Sequence, residues 1–529
     1  MASSIRPYQI PAPGYWGLNT EDSPIGLDNK FALQASNCVI DKSGRIASRK
    51  GITRAHATYA EYNIAEYGVA EYTGSYNLGT SSVQVIGEVV ETDGTATLVT
   101  LGGGYVFKIA SSTLTTLTYG GGGVAPTLTL NNWQFCQLGG VGVVFQRGYD
   151  ALIFDPAVST TTFRRLSEKT GYTGTVPLAN CGLSAYGRLW AADTSTNKNT
   201  VYWSDTLTTH NWTAGTSGTL NLLGVWPSGG DEITALAAHN NFLIIFGRKQ
   251  ILIYSGANNP ATMVLADSIA NIGCIARDSV QNTGEDILFL SDSGVRSLER
   301  TIQEKSAPLR GVSKNVFTDL KAYLDVETVA NIKSAYSPTE AFYLLTFPAS
   351  QITYCFDMRA PLPDGSARAT TWEGVASTAF CYSKSRDLYL GRAGFVGKYS
   401  GYSDNGSAYR MKYAGTWVDF GEPIQTTILK NIRMDFLGVL SQSVTVKWGF
   451  DFNAGSLTTT SLLTGLAASV EYGSAEFGIS EYQGGGSVAA VNVNGSGSGK
   501  VLQTGFEANI NGYTLSAQKI ELITKDGRL

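Results

Sequence analysis

Along this chain, short apolar runs alternate with short polar or glycine-rich breaks. From about residue 80 to 400 one unit keeps returning: an apolar strand, a tight turn and a second apolar strand. Instances lie at 95–107, 142–154, 188–203, 242–254, 287–298, 342–354 and 387–399. They are rich in β-branched and aromatic residues, which suit a pleated and largely buried surface. They begin at intervals of about 45 to 55 residues, the length of a four-stranded propeller blade. A lone hairpin buries too little to be stable, so stacking the units radially is one way to build a common core. The pattern predicts an all-β fold, a β-propeller of about six to seven blades over residues 80–404. A run of unrelated hairpins in β-sandwiches is the alternative.

Three stretches depart from this pattern. Phe317, Leu320 and Leu324 share one helical face, which predicts a short helix over 315–324. Beyond about residue 405 the extended runs lengthen, as around Val444, Val446 and Trp448, predicting a further C-terminal β domain over 405–529, a small sandwich. Residues 1–79 form an N-terminal docking arm or strap: the Tyr15-Trp16 pair between prolines, an apolar run at 31–40, a turn at 41–44, and the basic cluster Arg45, Arg49, Lys50 and Arg54.

A second repeat is shorter. Glu61-Tyr62, Glu66-Tyr67 and Glu71-Tyr72 recur every five residues, and Glu471-Tyr472, Glu476-Phe477 and Glu481-Tyr482 repeat the motif far downstream. A period of five matches neither a strand nor a helix. One reading is a turn-rich extended segment whose rings cover a neighbouring sheet. The other is an aromatic, acidic contact surface within or between subunits, since tyrosine buries much area and keeps a polar tip. The candidate interface residues are therefore Tyr15, Trp16, Arg45, Arg49, Lys50, Tyr62, Tyr67, Tyr72, Tyr472, Phe477 and Tyr482.

Composition narrows the function classes. In 529 residues there are 60 glycines and 15 prolines, and only 16% of residues are charged, against about a quarter in typical domains. This suits many strands joined by tight turns. A formal charge of −4 gives no general attraction to nucleic-acid phosphates. The basic cluster at 45–54 reads as a solvated edge or a salt-bridged interface before it reads as a phosphate site. The six cysteines and three histidines are scattered without metal-ligand spacing, so no metal or cofactor is expected and the thiols read as free and buried. There is no signal-peptide pattern and no apolar run near ~18 residues, so synthesis and folding in a cytoplasm are expected.

The catalytic motifs fail on inspection. Residues 495–500 resemble a phosphate-binding loop, but Asn494 replaces the first glycine and Val501 the magnesium-binding hydroxyl. The turns at Asp292-Ser293-Gly294 and Asp404-Asn405-Gly406 resemble part of the Asp-box of sialidase-type propellers, yet Leu290 and Tyr402 occupy its serine position. They read as hairpin turns. No enzyme is expected.

Gly17, Leu18, Asn19, Ser23, Pro24, Leu33, Asn37, Gly44 and Arg49-Lys50-Gly51 together resemble the N-terminus of virion tail proteins of short-tailed bacteriophages. Arg188-Leu189-Trp190 with Val201 to Ser204, Ile244 to Phe246 with Ile253-Tyr254, Gly273 to Ala276 with Leu288 to Val295, and Tyr343 to Phe347 with Tyr354 to Asp357 continue the match in order. Arginine is commoner than lysine at the Lys50 position, and a proline often precedes the glycine there. The family resembled is the tail nozzle, or tail tubular protein B. The resemblance implies a propeller protomer in a homohexameric ring below a tail adaptor, with a tail fibre or spike docked nearby. It also implies a virion location and genomic double-stranded DNA passing through the lumen without specific binding. A receptor- or glycan-binding propeller on the tail, with or without hydrolase activity, and a head–tail stabilising ring are the other readings. On the leading one, the N-terminal segment is a strap across the propeller near a subunit or adaptor contact.

Overall fold

The computed structural model describes residues 5–57, 78–128, 132–304, 311–420, 425–438, 440–465 and 487–527. The seven hairpins found in the sequence fall in seven antiparallel blades, six as the central pair of a four-stranded blade and the fifth as the last two strands of a three-stranded one. Blade 1 runs from Val83–Val90 to Thr113–Tyr119 and blade 2 from Gln134–Leu138 to Thr162–Arg165. Blade 3 runs from Ala179–Ala185 to Gly218–Asn221 and blade 4 from Ile233–His239 to Val264–Ala270. Blade 5 has three strands, Gln281–Asn282, Ile287–Ser291 and Gly294–Ser297, and the helix Leu298–Glu304 follows them. Blade 6 spans Lys333–Ser337 to Arg368–Glu373. Blade 7 begins at Phe380–Tyr382, and its fourth strand is Ile52–Arg54, drawn from the N-terminal segment.

The first strands of successive blades adjoin and close a ring, with the turn Arg277–Ser279 bridging blades 4 and 6 at the head of blade 5. The core is accordingly divided into apolar clusters between neighbouring blades. Trp190, Trp203, Leu243 and Leu252 fill the space between blades 3 and 4; Phe246, Ile251, Ile287 and Phe289 fill that between blades 4 and 5. Middle strands such as Phe342–Phe347 and Ile352–Asp357 are buried on both faces. That is why they read as continuous apolar runs.

The C-terminal strands form two sheets packed face to face, with Phe436 on one meeting Phe506 on the other at 5.0 Å between ring centroids. Neither sheet is made of C-terminal residues alone. Ile5–Pro11 pairs with Lys519 to Lys525 of the strand Leu515–Asp526, and Ile46–Ser48 joins the same strand at Ser516. Phe31–Ser36 lies between the outer strand of blade 6 and Tyr409–Val418, so one ten-stranded sheet runs from the propeller bore into the sandwich. The largest apolar cluster spans this seam, joining Leu290, Tyr343 and Phe356 of the blades to Ala32, Cys38 and Ile46 and to Met411, Phe436 and Phe506.

The expected strap is thus built into both units rather than laid across one. Ala32, Ala35, Cys38 and Ile46 are fully buried, and residues 5–54 supply strands to two C-terminal sheets and one blade. The expected helix is Phe317–Val326, with Leu320 buried and Tyr323 packed on Phe347 and Tyr354. Glu21 caps it, accepting from the backbone N–H and the hydroxyl of Thr318 at 2.5 and 2.8 Å. A carboxylate there satisfies an otherwise unpaired helix N–H. Among the described residues no helix is long and apolar enough to cross a membrane.

Candidate functional site

Two buried arginines organise the molecule, and the first lies in the N-terminal segment. Arg49 is 0% exposed. Its Nη1 and Nη2 donate to the two carboxylate oxygens of Asp404 at 2.9 and 2.6 Å, its Nε donates to Asn37 Oδ1 at 3.0 Å, and its guanidinium lies 4.0 Å from the Tyr409 ring centroid. Asn37 sits at φ +55°, a left-handed position that asparagine tolerates, and donates its amide to the Arg410 carbonyl at 2.8 Å. One guanidinium thus ties the N-terminal segment to the turn after blade 7 and to the first C-terminal strand. Such forked, charge-assisted bonds are among the stronger polar contacts.

The other described interface candidates sit around this hub. Lys50 pairs with Glu340 of blade 6 at 2.5 Å, and Arg45 pairs with Asp41 at 2.8 Å within its own turn. Tyr15 accepts from Arg368 at 3.0 Å, and that guanidinium also stacks over its ring. Trp16 packs edge-on against Phe31 and under Lys30. The basic cluster is therefore engaged within the chain, and Arg49 reaches no surface at all. Tyr62, Tyr67, Tyr72, Tyr472, Phe477 and Tyr482 lie outside the described residues.

Two glycines show why this segment tolerates little change. Gly17, at φ +77°, lies against the backbone of Ala369 so closely that a Cβ would meet its nitrogen and oxygen at 2.7 and 2.6 Å. A Cβ on Gly51 would overlap the backbone of Ser403. Main chain cannot rotate away as a side chain can, so only glycine fits.

The second arginine, Arg277, spans the propeller bore. It donates to Asn132 O, Asn180 O and Trp133 O at 3.0, 2.6 and 3.2 Å, to both side-chain amide oxygens of those asparagines, and through a fork to Asp278 at 2.8 Å. Lys333 of blade 6 donates to the same Asp278 and to Asn132 Oδ1 at 2.5 and 2.6 Å. Burial alone would raise the Asp278 carboxyl, but Arg277 and Lys333 overcome it and hold it at about 2. The hub links blade 5 to the strands opening blades 2 and 3. It divides the bore into two cups, of about 460 Å³ and about 350 Å³, both lined by Arg277.

Reading the sequence alone missed Arg277, Asp278, Lys333, Asn132 and Asn180. Its one signal was an Arg-Asp pair directly after the apolar Gly273 to Ala276. The cysteines are free. Burial pushes the thiols of Cys136, Cys274 and Cys381 up to about 12, so they stay protonated. Among the described residues no three His, Cys, Asp or Glu side chains are grouped to hold a metal ion. Asp404, one of the two Asp-box-like aspartates, is occupied by Arg49. Residues 495–500 lie in the connection from Ser487–Asn494 of one sheet to Leu502–Ile510 of the other, with Ser498–Gly499 paired to Thr427 and Ile428 and no helix after the glycines.

No family model matches the chain, and no curated protein matches it. Among solved structures it is similar to a streptogramin B lyase, at 12% identity over 61% of this chain and 95% of that one, TM-score 0.35. It is also similar to the WD40 domain of Pan2 from Neurospora crassa, at 9% identity over 66% and 94%, TM-score 0.37. The WD40 domain of coronin from Toxoplasma gondii matches at 9% identity over 69% and 86%, TM-score 0.39. These are propellers. At such identities nothing about activity is carried across; the strand order described above is what defines the fold here.

Proposed function

We propose that this chain is a structural protein of a short-tailed bacteriophage virion: the tail nozzle, one protomer of a six-fold ring below an adaptor that extends the channel for genome ejection. The observation that carries the reading is a coincidence of residues. Gly17, Asn37, Arg49 and Gly51, which bear the sequence resemblance, are the positions that join propeller to C-terminal sheets. A match that includes the joints of a two-part protomer, and runs on in order through its blades, speaks for shared architecture more than shared composition does.

The Arg277 hub constrains how such a protein would work. With the bore of each propeller crossed by side chains, duplex DNA has no path through the protomer, so the passage lies between protomers. A ring closed by repeated heterologous contacts provides that space. A chain of net charge −4 gives a wall that phosphates slide past rather than bind. The work is mechanical and needs no catalytic group in the protomer.

Mixing the purified protein with its tail neighbours and recording mass and symmetry tests the proposal. A six-fold ring seated on the adaptor supports it, and a ring at the head side of the adaptor would reassign it to a stabilising ring. Tight, salt-sensitive binding of duplex DNA by the assembled ring would contradict the sliding wall.

A further inference from the structure

The larger of the two cups, of about 460 Å³, is bounded by the first strands of blades 1, 2, 6 and 7 and floored by the Arg277 hub. Its size falls within the ~300–1,000 Å³ usual for small-molecule sites. The floor is unevenly satisfied. Arg277 directs all its N–H groups at acceptors, as described above. Lys333 does not: an ammonium carries three donors, two go to Asp278 and Asn132 Oδ1, and the third has no partner among the described residues although Lys333 is 8% exposed. Two cations share the single carboxylate of Asp278 there, leaving one positive charge uncompensated beneath the cavity. Leaving a buried charge unpaired is costly, and burial accordingly lowers the Lys333 pKa even with Asp278 opposing the shift.

The wall offers a different chemistry. Phe135, Phe380 and Tyr382 present half-buried rings. The Gln84 amide makes no bond among the described residues, Gln134 uses only Oε1, accepting from Gly182, and Gln281 uses only Nε2, donating to Ser334 O. Glu88 also lines the cup, with Oε2 accepting from the backbone N–H of Lys384 and Oε1 left open. The cup is therefore cationic at its floor and anionic on its wall, with apolar rings and spare amide groups between.

We propose that this cup binds a small organic carboxylate bearing an amino or hydroxyl group, of the amino-acid or hydroxy-acid class. The carboxylate takes the third N–H of Lys333 and neutralises the excess charge. The carbon skeleton lies against Phe135, Phe380 and Tyr382, and the donor group reaches Glu88 or the Gln281 oxygen. This site is independent of the ring function and would stiffen the propeller by filling its bore.

The test is calorimetric titration of the full-length protein with L-glutamate, alongside acetate, inorganic phosphate and glucose. Saturable binding of L-glutamate, weaker binding of acetate and none of glucose are expected. Lys333→Gln should weaken L-glutamate binding about tenfold or more, the loss of one charge-assisted bond, and Phe380→Ala should weaken it severalfold. Phe380 is outside the hub, so that variant decides the matter if Lys333→Gln does not fold. Absence of saturable L-glutamate binding, equal or tighter binding of phosphate or glucose, or an unchanged affinity in Phe380→Ala would overturn the proposal.

Discussion

Arg49 and Arg277 each set a buried guanidinium against a carboxylate and several oxygen acceptors, yet they join different things. Arg277 pairs with its chain neighbour Asp278 and reaches across the bore to blades 2 and 3. Arg49 pairs with Asp404, far away in sequence, and fastens the N-terminal segment at the seam between propeller and sandwich. Asp278 is 17% exposed and held between two cations, Arg277 and Lys333, whereas Asp404 is 27% exposed, has Arg49 as its one ion-pair partner among the described residues and can take water if that partner is lost. The comparison separates a hub that holds the ring of blades from one that holds the two units together.

Removing each partner in turn sharpens the difference. Arg277→Ala leaves Asp278 and the Asn132 amide oxygen to Lys333 alone and takes the Arg277 donor from three carbonyls and the Asn180 amide oxygen, and should cost about 3–5 kcal/mol, read as the loss of denaturant midpoint at constant slope. Arg49→Ala should cost less, about 2–4 kcal/mol, because Asp404 rehydrates. Its signature should be early release of the C-terminal sheets in hydrogen exchange while the blades stay protected. Arg49→Lys should recover little of this, since an ammonium cannot make the fork.

Gly51→Ala forces a Cβ into the Ser403 backbone and should cost about 1–3 kcal/mol by chemical denaturation. Lys50→Ala removes a pair whose lysine side chain is 41% exposed, and should change stability by about 0–1 kcal/mol. If Lys50→Ala matched Arg49→Ala, the distinction between buried hub and surface pair would fail.

Acid offers an independent handle on the Arg277 hub. The Asp278 carboxyl is depressed in the folded protein to about 2, below the ordinary ~3.9. Its contribution is therefore fully present above about pH 4 and is lost as pH falls towards 2. In Arg277→Ala the depression shrinks, so the step in stability between about pH 4 and 2 should flatten in acid titrations followed by near-ultraviolet circular dichroism.

How much of this was legible in the sequence depends on burial. The middle strands of the blades stood out where both faces are covered, as in Phe342–Phe347. Outer strands did not: Val264–Ala270 is largely exposed and mixed in pattern, and blade 7 takes its outer strand from more than three hundred positions upstream. The N-terminal segment was recognisable as something that docks, from Tyr15, Trp16 and the apolar run at 31–40. That it enters both sheets of the sandwich is set by long-range pairing with Leu515–Asp526 and Tyr409–Val418, which local pattern does not encode. The Arg277 hub draws on positions 132, 180, 277, 278 and 333, none of which forms a motif.

The truncation that a detachable strap would suggest now has a different expected outcome. Deleting residues before Gly51 removes Arg49 and the four strands from Ile5–Pro11 to Ile46–Ser48 that enter the C-terminal sheets, as well as the short strand Gly17–Leu18. The protomer itself should lose solubility, and impaired assembly should follow from that.

The most direct measurement is an image reconstruction of the protein assembled with its tail neighbours, at a resolution that shows side chains. It should show six protomers around a passage lined by their outer surfaces, with density for Arg277 crossing every propeller bore. A protein that stays monomeric beside its adaptor, or a channel running through the propeller bores themselves, would contradict the proposed function.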